Sequence, residues 1–268
     1  VYSVLNQIQL KYQSLSKLEK KVADYVIHHS NDLLNIHIKE MAAQIDVSVA
    51  TITRFCHKIG AKSFVEFKIL LRDAVRNEQV SDHALESVNQ MYRAVVESTE
   101  DLTDLTVYQR ACQWIKAAKR VHIFGLGSSG LSAEELKLRI SRMGLKVDTH
   151  LDSHSIIIGS SLVSAEDVVI AISSSGETKE VVDGVGLAKR NQAKIIAITN
   201  YTDTSLATNS DLLLYTYSMH PFRLRGLLNS QLSIHYVLDI LTMLLIQEED
   251  LLQSYRETLK ALDEYKKI

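Results

Sequence analysis

The chain is poor in the residues that mark small, stapled or membrane-bound proteins. It has one proline, Pro221, in 268 residues, which excludes proline-shaped linkers and favours long helices. Its two cysteines, Cys56 and Cys112, form no disulfide framework. Reduced, buried thiols are the expectation, as in a cytoplasmic protein. No apolar run is long enough to span a membrane. The nearest, 237–246, is interrupted by Asp239 and Thr242. No leader-like segment is visible, and the chain opens on Val1 rather than Met, as a trimmed sequence would.

Overall basicity is also missing. The formal net charge is −2, with 23% charged and 46% hydrophobic residues, the balance of an ordinary globular chain of one large or two medium domains. The sign is unevenly spread. Residues 1–80 hold 11 Lys/Arg against 8 Asp/Glu, and the remainder holds 19 against 24.

The first 80 residues read as short helices. Val4, Leu5, Ile8 and Tyr12 share one helical face. Ser16 with Glu19 three residues on forms a capping box, opening a helix with the stripe Leu18, Val22, Tyr25 and Val26 that ends at Asn31 and Asp32. A short helix over 38–45 follows, then the turn Asp46-Val47-Ser48. A second helix runs over 49–59 and stops at Gly60. Its spacing predicts that Val49, Ile52, Phe55 and Ile59 face inward. Ala50, Thr51, Thr53, Arg54, His57 and Lys58 are then left outside, without a carboxylate among them. Two short helices on a tight turn fit a helix-turn-helix. A basic, hydroxyl-bearing outer face suits base edges and phosphates, although an αα-hairpin with a solvated face has the same pattern. Phe64, Phe67, Leu70 and Leu71 line a further helix, whose Lys68, Arg72 and Arg76 read equally as phosphate contacts or as surface charge.

Three runs carry a family likeness: Ile38-Lys39-Glu40-Met41-Ala42, the stretch from Val47 through Arg54-Phe55 to Gly60, and Phe64-Val65-Glu66-Phe67-Lys68. Together they resemble the N-terminal domain of RpiR-type transcriptional regulators. The resemblance implies that the helix after Ser48 enters double-stranded operator DNA, with Ser48, Ala50, Thr51, Thr53, Arg54, His57 and Lys58 as the DNA-binding set. It also implies a C-terminal sugar-isomerase-type (SIS) domain that binds phosphosugars.

Residues 80–105 form a polar helical stretch without Gly or Pro, a stiff connector, and a short helix over 107–118 follows. Beyond it strands and helices alternate. Strands are expected over 121–124, 146–149, 168–172, 194–199 and 212–217. Helices are expected from Gly130 to Met143 and over 155–162, 179–193 and 227–247. The fold class is therefore an all-α helix-turn-helix domain followed by a three-layer α/β domain with a five-stranded parallel sheet. The expected boundaries are 1–77, 78–105 for the connecting helix, 106–248 for the α/β domain, and 249–268 for a helical tail.

Two loops at strand ends hold the chemistry. Gly125-Leu126-Gly127-Ser128-Ser129-Gly130 matches the dinucleotide fingerprint G-x-G-x-x-G, with Asp148 and Asp152 as acids further on. Ser173-Ser174-Ser175-Gly176-Glu177-Thr178 places hydroxyls and a glycine at the start of a helix, where backbone N–H groups attract anions. Alone it is equally a Ser-capped turn. A second hydroxyl-rich loop has no part in dinucleotide binding, and the pair of loops resembles the SIS domain, whose phosphate loop reads S-x-S-G-x-T. The resemblance implies that Ser173, Ser174, Ser175 and Thr178 hold a phosphate and that Ser128 and Ser129 reach the sugar.

Aldose–ketose isomerisation needs a base, and ring opening often uses a His. Glu134, Glu135, Glu177, Glu180, His150, His154 and His235 are available, but they form no clear acid–base set. Family members often carry Ser-Arg where this chain has Ser230-Gln231; Arg223 and Arg225 lie just upstream. The expectation is a sensor without catalytic residues, metal or cofactor, acting on DNA as a homodimer or tetramer under a phosphorylated sugar. An active isomerase and a dinucleotide-sensing repressor are the alternatives.

Overall fold

A computed structural model describes residues 4–29, 33, 36–75, 84–217 and 231–266. Arg76, Asn31, Asp32, Arg223, Arg225 and Ser230, each weighed above, lie outside that set. The chain divides into two compact units, one built on Val1–Leu102 and the other on Thr103–Asn200, Thr204–Thr216 and Ser233–Ile268. Among the described residues no helix is long and apolar enough to cross a membrane.

Among the described residues up to Asp101, the first unit's regular elements are helical: α1 (Val4–Lys11), a 3-10 turn (Tyr12–Ser14), α2 (Lys17–His28), α3 (Ile38–Gln44), α4 (Val49–Lys58), α5 (Phe64–Val75) and α6 (Ala84–Asp101). The Ser16–Glu19 capping box is formed, each side chain bonding the other's backbone N–H. The core joins Ile8, Val22, Val26, Met41, Ile52, Phe55, Cys56, Phe67 and Leu71. Phe55 meets Phe67 edge-on at 5.9 Å between ring centroids.

Four side chains depart from the expected faces. Leu18, Val49 and Leu70 are exposed, whereas Thr51 is buried. Val49 is the first residue of α4, at the margin of the packed surface. Cys56, one turn past Ile52, is buried in the core as expected.

The second unit is a three-layer α/β fold. Its elements are α7 (Leu105–Ala117), β1 (Val121–Gly125), α8 (Ser128–Ser141), β2 (Val147–His150), α9 (Ser153–Leu162), β3 (Val168–Ile172), α10 (Lys179–Arg190), β4 (Lys194–Thr199), α11 (Ser205–Asn209), β5 (Leu212–Tyr215), α12 (Gln231–Leu245) and α13 (Glu249–Tyr265). The five strands pair in parallel in the order β2-β1-β3-β4-β5. One face packs Ile123, Ile170, Ile172, Ile196 and Ile198 against α7, α8 and α12. The other packs Phe124, Val169, Ala171, Ile195 and Ala197 against α9, α10 and α11. Burial on both faces is why these strands read as continuous apolar runs rather than as alternation. Cys56 and Cys112 are free and buried, and burial pushes both thiols up to about 12.

Candidate functional sites

The helix-turn-helix is built from short-range capping. Asp46 takes a left-handed conformation (φ 52°) after α3, which short polar side chains tolerate. Val47 N–H returns to the Ala42 carbonyl at 3.0 Å. Ser48 then caps α4, its Oγ accepting from Thr51 N–H at 3.1 Å. The buried Thr51 hydroxyl lies 2.9 Å from Ser48 Oγ and accepts from Arg54 Nη2 at 3.3 Å. Thr51 therefore does not face outward as the spacing predicted; it braces Arg54, and the exposed residues around it are Ser48, Ala50, Arg54 and His57.

Lys58 is also committed within the unit, since its ammonium pairs with buried Glu19 at 2.8 Å. Burial pushes the Glu19 carboxyl up, but the hydrogen bonds from Lys58 and Ser16 outweigh it and hold the group below the ordinary carboxylate value. On α5, Lys68 donates to the Ile36 carbonyl at 3.2 Å, and Arg72 lies 3.6 Å from Asp73. The half-buried Thr53 turns its hydroxyl back to the Val49 carbonyl at 3.0 Å.

In the second unit the chain order reverses at β1, which has β2 on one side and β3 on the other. A crevice opens at such a switch point, outside the carboxyl ends of the strands. Gly125 pairs with Ile172, so the loops after β1 and β3 leave the sheet at the same level. These are the two hydroxyl-bearing loops. In the first, a Cβ on Gly125 would meet the Ser129 carbonyl oxygen at 2.7 Å, so glycine is what lets α8 start against the strand. Ser128 is exposed and Ser129 half-buried at its first turn.

The second loop is tied down at several points. Ser173 is buried, and its N–H donates to the Ile198 carbonyl at 3.1 Å. Ser174's carbonyl accepts from Asn200 N–H at 3.2 Å, and Gly176's accepts from Leu206 N–H at 3.0 Å. Glu177 Oε1 accepts from Ser205 N–H at 2.8 Å, an anchoring role that its place in the motif does not disclose. Gly176 adopts φ 65°, and a Cβ there would lie 2.3 Å from Thr204 Oγ1.

Ser173 Oγ and Thr178 Oγ1 are 2.9 Å apart. Thr178 is the N-cap of α10, but its hydroxyl does not cap the helix, and Gly127 leaves α8 equally without a side-chain cap. Ser16, Ser48, Asp104, Asp152 and Thr204 do cap their own helices. α10 thus begins at the crevice without a side-chain cap, with Ser174, Ser175 and Thr178 at the rim, while the Ser129 and Gly130 N–H groups of α8 donate to the Leu126 and Gly127 carbonyls. Compact anions suit such a cradle: neutral donors surround the charge and the dipole of α10 favours it. At the end of β4, one residue past Ile198, the Thr199 hydroxyl is buried without a hydrogen-bond partner.

Four of the seven side chains considered as bases are committed elsewhere. Glu134 bonds Thr149, Glu135 bonds Arg139 at 2.8 Å, and Glu177 is the loop anchor. His150 Nε2 lies 3.1 Å from His122 Nδ1, with the rings stacked at 5.4 Å. His154 is exposed, and Glu180 and His235 are half-exposed on α10 and α12. Burial holds both paired histidines below the ordinary imidazole value, and for His122 the neighbouring ring adds to the effect. The pair is invisible in the sequence because it needs β1 beside β2: His122 lies opposite Asp148 and His150 opposite Phe124, so the two rings meet on a diagonal. Among the described residues no group of three His, Cys, Asp or Glu is placed to hold a metal ion.

Comparison with known proteins matches both units. Residues 2–78 match the model of the helix-turn-helix domain, rpiR family, and residues 115–244 match that of the SIS domain. An HTH-type transcriptional regulator of Haemophilus influenzae is 31% identical, with 97% of this chain and 96% of the relative covered. Another, of Clostridium perfringens, is 31% identical over 91% and 92%. Among solved structures, the Vibrio vulnificus NanR protein complexed with ManNAc-6P has the same fold over 98% of both chains (TM-score 0.65, 24% identity). The sugar isomerase domain of an RpiR transcription factor from Sphaerobacter thermophilus covers 66% of this chain and 98% of its own (TM-score 0.60, 18% identity).

Proposed function

Since the chain belongs to the rpiR family of HTH-type transcriptional regulators that carry an SIS domain, we propose that a phosphorylated sugar in the β1/β3 crevice sets its affinity for operator DNA. The observation that carries this reading is the loop Ser173–Thr178. Its hydroxyls and the uncapped start of α10 meet at the sheet's switch point, on a backbone pinned to β4 and α11. The solved NanR structure, named for its complex with ManNAc-6P, makes amino-sugar phosphates the first effector class to screen and carbohydrate or amino-sugar genes the first targets. Arg54, braced by Thr51 and Ser48, is the side chain of α4 best placed to reach a base edge. The DNA-bound form is a dimer in this reading, and the crevice binds without turnover. The commitments of Glu134, Glu135 and Glu177 to other partners support that assignment.

The mechanism is linkage. A ligand that binds one arrangement of the protein more tightly shifts the population that grips DNA, and a tenfold change in affinity needs about 1.4 kcal/mol of differential binding. The test combines a thermal-shift panel of hexose and N-acetylhexosamine phosphates with gel-shift titration. Ser175→Ala with Thr178→Ala is expected to abolish the ligand response and leave DNA binding intact. Arg54→Ala is expected to lower specific operator affinity about tenfold, the scale of one base contact. A full sugar-phosphate response in the double variant rejects the crevice, and unchanged operator affinity rejects Arg54. Stabilisation by NAD(H) alone would make the crevice a dinucleotide site, and turnover of a sugar phosphate would make it an isomerase.

A further inference from the structure

Opposite the crevice, at the edge where β4 begins, the second unit has a groove of about 530 Å³ lined by Arg110, Trp114, Lys189, Gln192, Lys194 and Asp211 among others. Trp114 is the one tryptophan of the chain. The Arg110 guanidinium lies 5.3 Å from the centre of its ring and the Lys194 ammonium 5.2 Å. Two like charges therefore lie against a single indole, and all three residues line the same groove.

Among the described residues, neither Arg110 nor Lys194 makes an ion pair, while Lys58, Lys116, Lys119, Arg120, Arg139, Lys179 and Lys189 all do. The nearby carboxylate is already in use. Asp211 Oδ2 accepts from Ile195 N–H at 2.8 Å, and Oδ1 lies 3.9 Å from Lys189. Gln192 ends the segment after α10 in a left-handed conformation (φ 65°), a position where glycine costs less. It nevertheless lines the groove.

We propose that this groove is a second anion site, taking a small phosphate-bearing metabolite whose phosphate bridges Arg110 and Lys194 while Trp114 forms the apolar wall. A phosphate monoester dianion matches the charge of the two unpaired cations, and the guanidinium offers the fork that phosphate oxygens accept. The groove's volume lies within the range of sites for small metabolites. It is joined to the crevice by α10, whose first turn follows Thr178 and whose last holds Lys189, about 17 Å apart at 1.5 Å per residue.

Trp114 reports on the site directly. In the full chain its emission is titrated with inorganic phosphate and with pyrophosphate, at ionic strength held constant with chloride. A saturable change is expected, weakened at least tenfold in Arg110→Gln and in Lys194→Gln, and retained in Ser175→Ala with Thr178→Ala. The proposal is overturned by the absence of a saturable change or by an equal response in both charge-neutralised variants. Loss of the response in the Ser175/Thr178 variant also overturns it, because the signal would then come from the crevice. Loss of the sugar-phosphate response alone would reject the crevice and leave this groove standing.

Discussion

At Gly176 the backbone takes φ 65° with Thr204 Oγ1 where a Cβ would be, so two constraints coincide in one residue. Alanine there must both enter the left-handed region and push Thr204 away, and Thr204 is itself the buried N-cap of α11. Gly176→Ala is expected to cost about 2–4 kcal/mol, the sum of a strained backbone and a displaced cap. Urea denaturation should register the loss. A cost below about 1 kcal/mol would mean that the loop relaxes freely and is not the rigid cradle described. Glycine in S-x-S-G-x-T was legible as a turn. The contact with Thr204 was not, because position 204 reaches the loop only through the neighbouring strand.

At the level of elements, α2 and α4 are fastened by the Glu19–Lys58 pair, and the same Glu19 carboxylate closes the capping box with Ser16. Because the Glu19 carboxyl titrates below its ordinary value, its contribution is present above the unfolded-state value and is lost as pH falls through the folded one. Glu19→Gln is therefore expected to cost about 1–2 kcal/mol at pH 7, with Lys58 half in solvent and the cap partly kept. In urea denaturation the difference from the parent chain should shrink on going to pH 4 and below. A gap that stays constant with pH would assign the cost to packing instead. The capping box and Gly60 stop were visible in the sequence because they are local. The faces of α4 were less so: three- and four-residue spacing marks a stripe but not its width, and Thr51 and Val49 lie on its two margins. The five-residue α11 was missed altogether, being too short for any periodicity.

Across the whole molecule, strand positions and sheet type were readable, because buried parallel strands are apolar throughout and helices punctuate them. Strand order was not, and the proximity of the two hydroxyl loops follows from order: β1 and β3 are neighbours although β2 comes between them in the chain. The same reason hides His122–His150 and the groove at Trp114, each assembled from residues far apart in sequence. The charge asymmetry, by contrast, was plain from composition.

The loop proposed to hold the phosphate contains no lysine or arginine between Ser173 and Thr178, and Lys179 just beyond it is paired with Asp183. Recognition by amides and hydroxyls releases no counterions from the protein's own cations, whereas a basic helix on duplex DNA displaces several. The two equilibria should separate along the axis of ionic strength. Between 50 and 200 mM salt, effector affinity measured calorimetrically is expected to change less than about threefold, while operator affinity falls by at least tenfold. An effector curve as steep as the DNA curve would place a cation in the cradle that the loop does not supply. With the expected pair of slopes, salt becomes a dial that empties the operator and leaves the sugar site filled, so that the cost of passing between them can be weighed one step at a time.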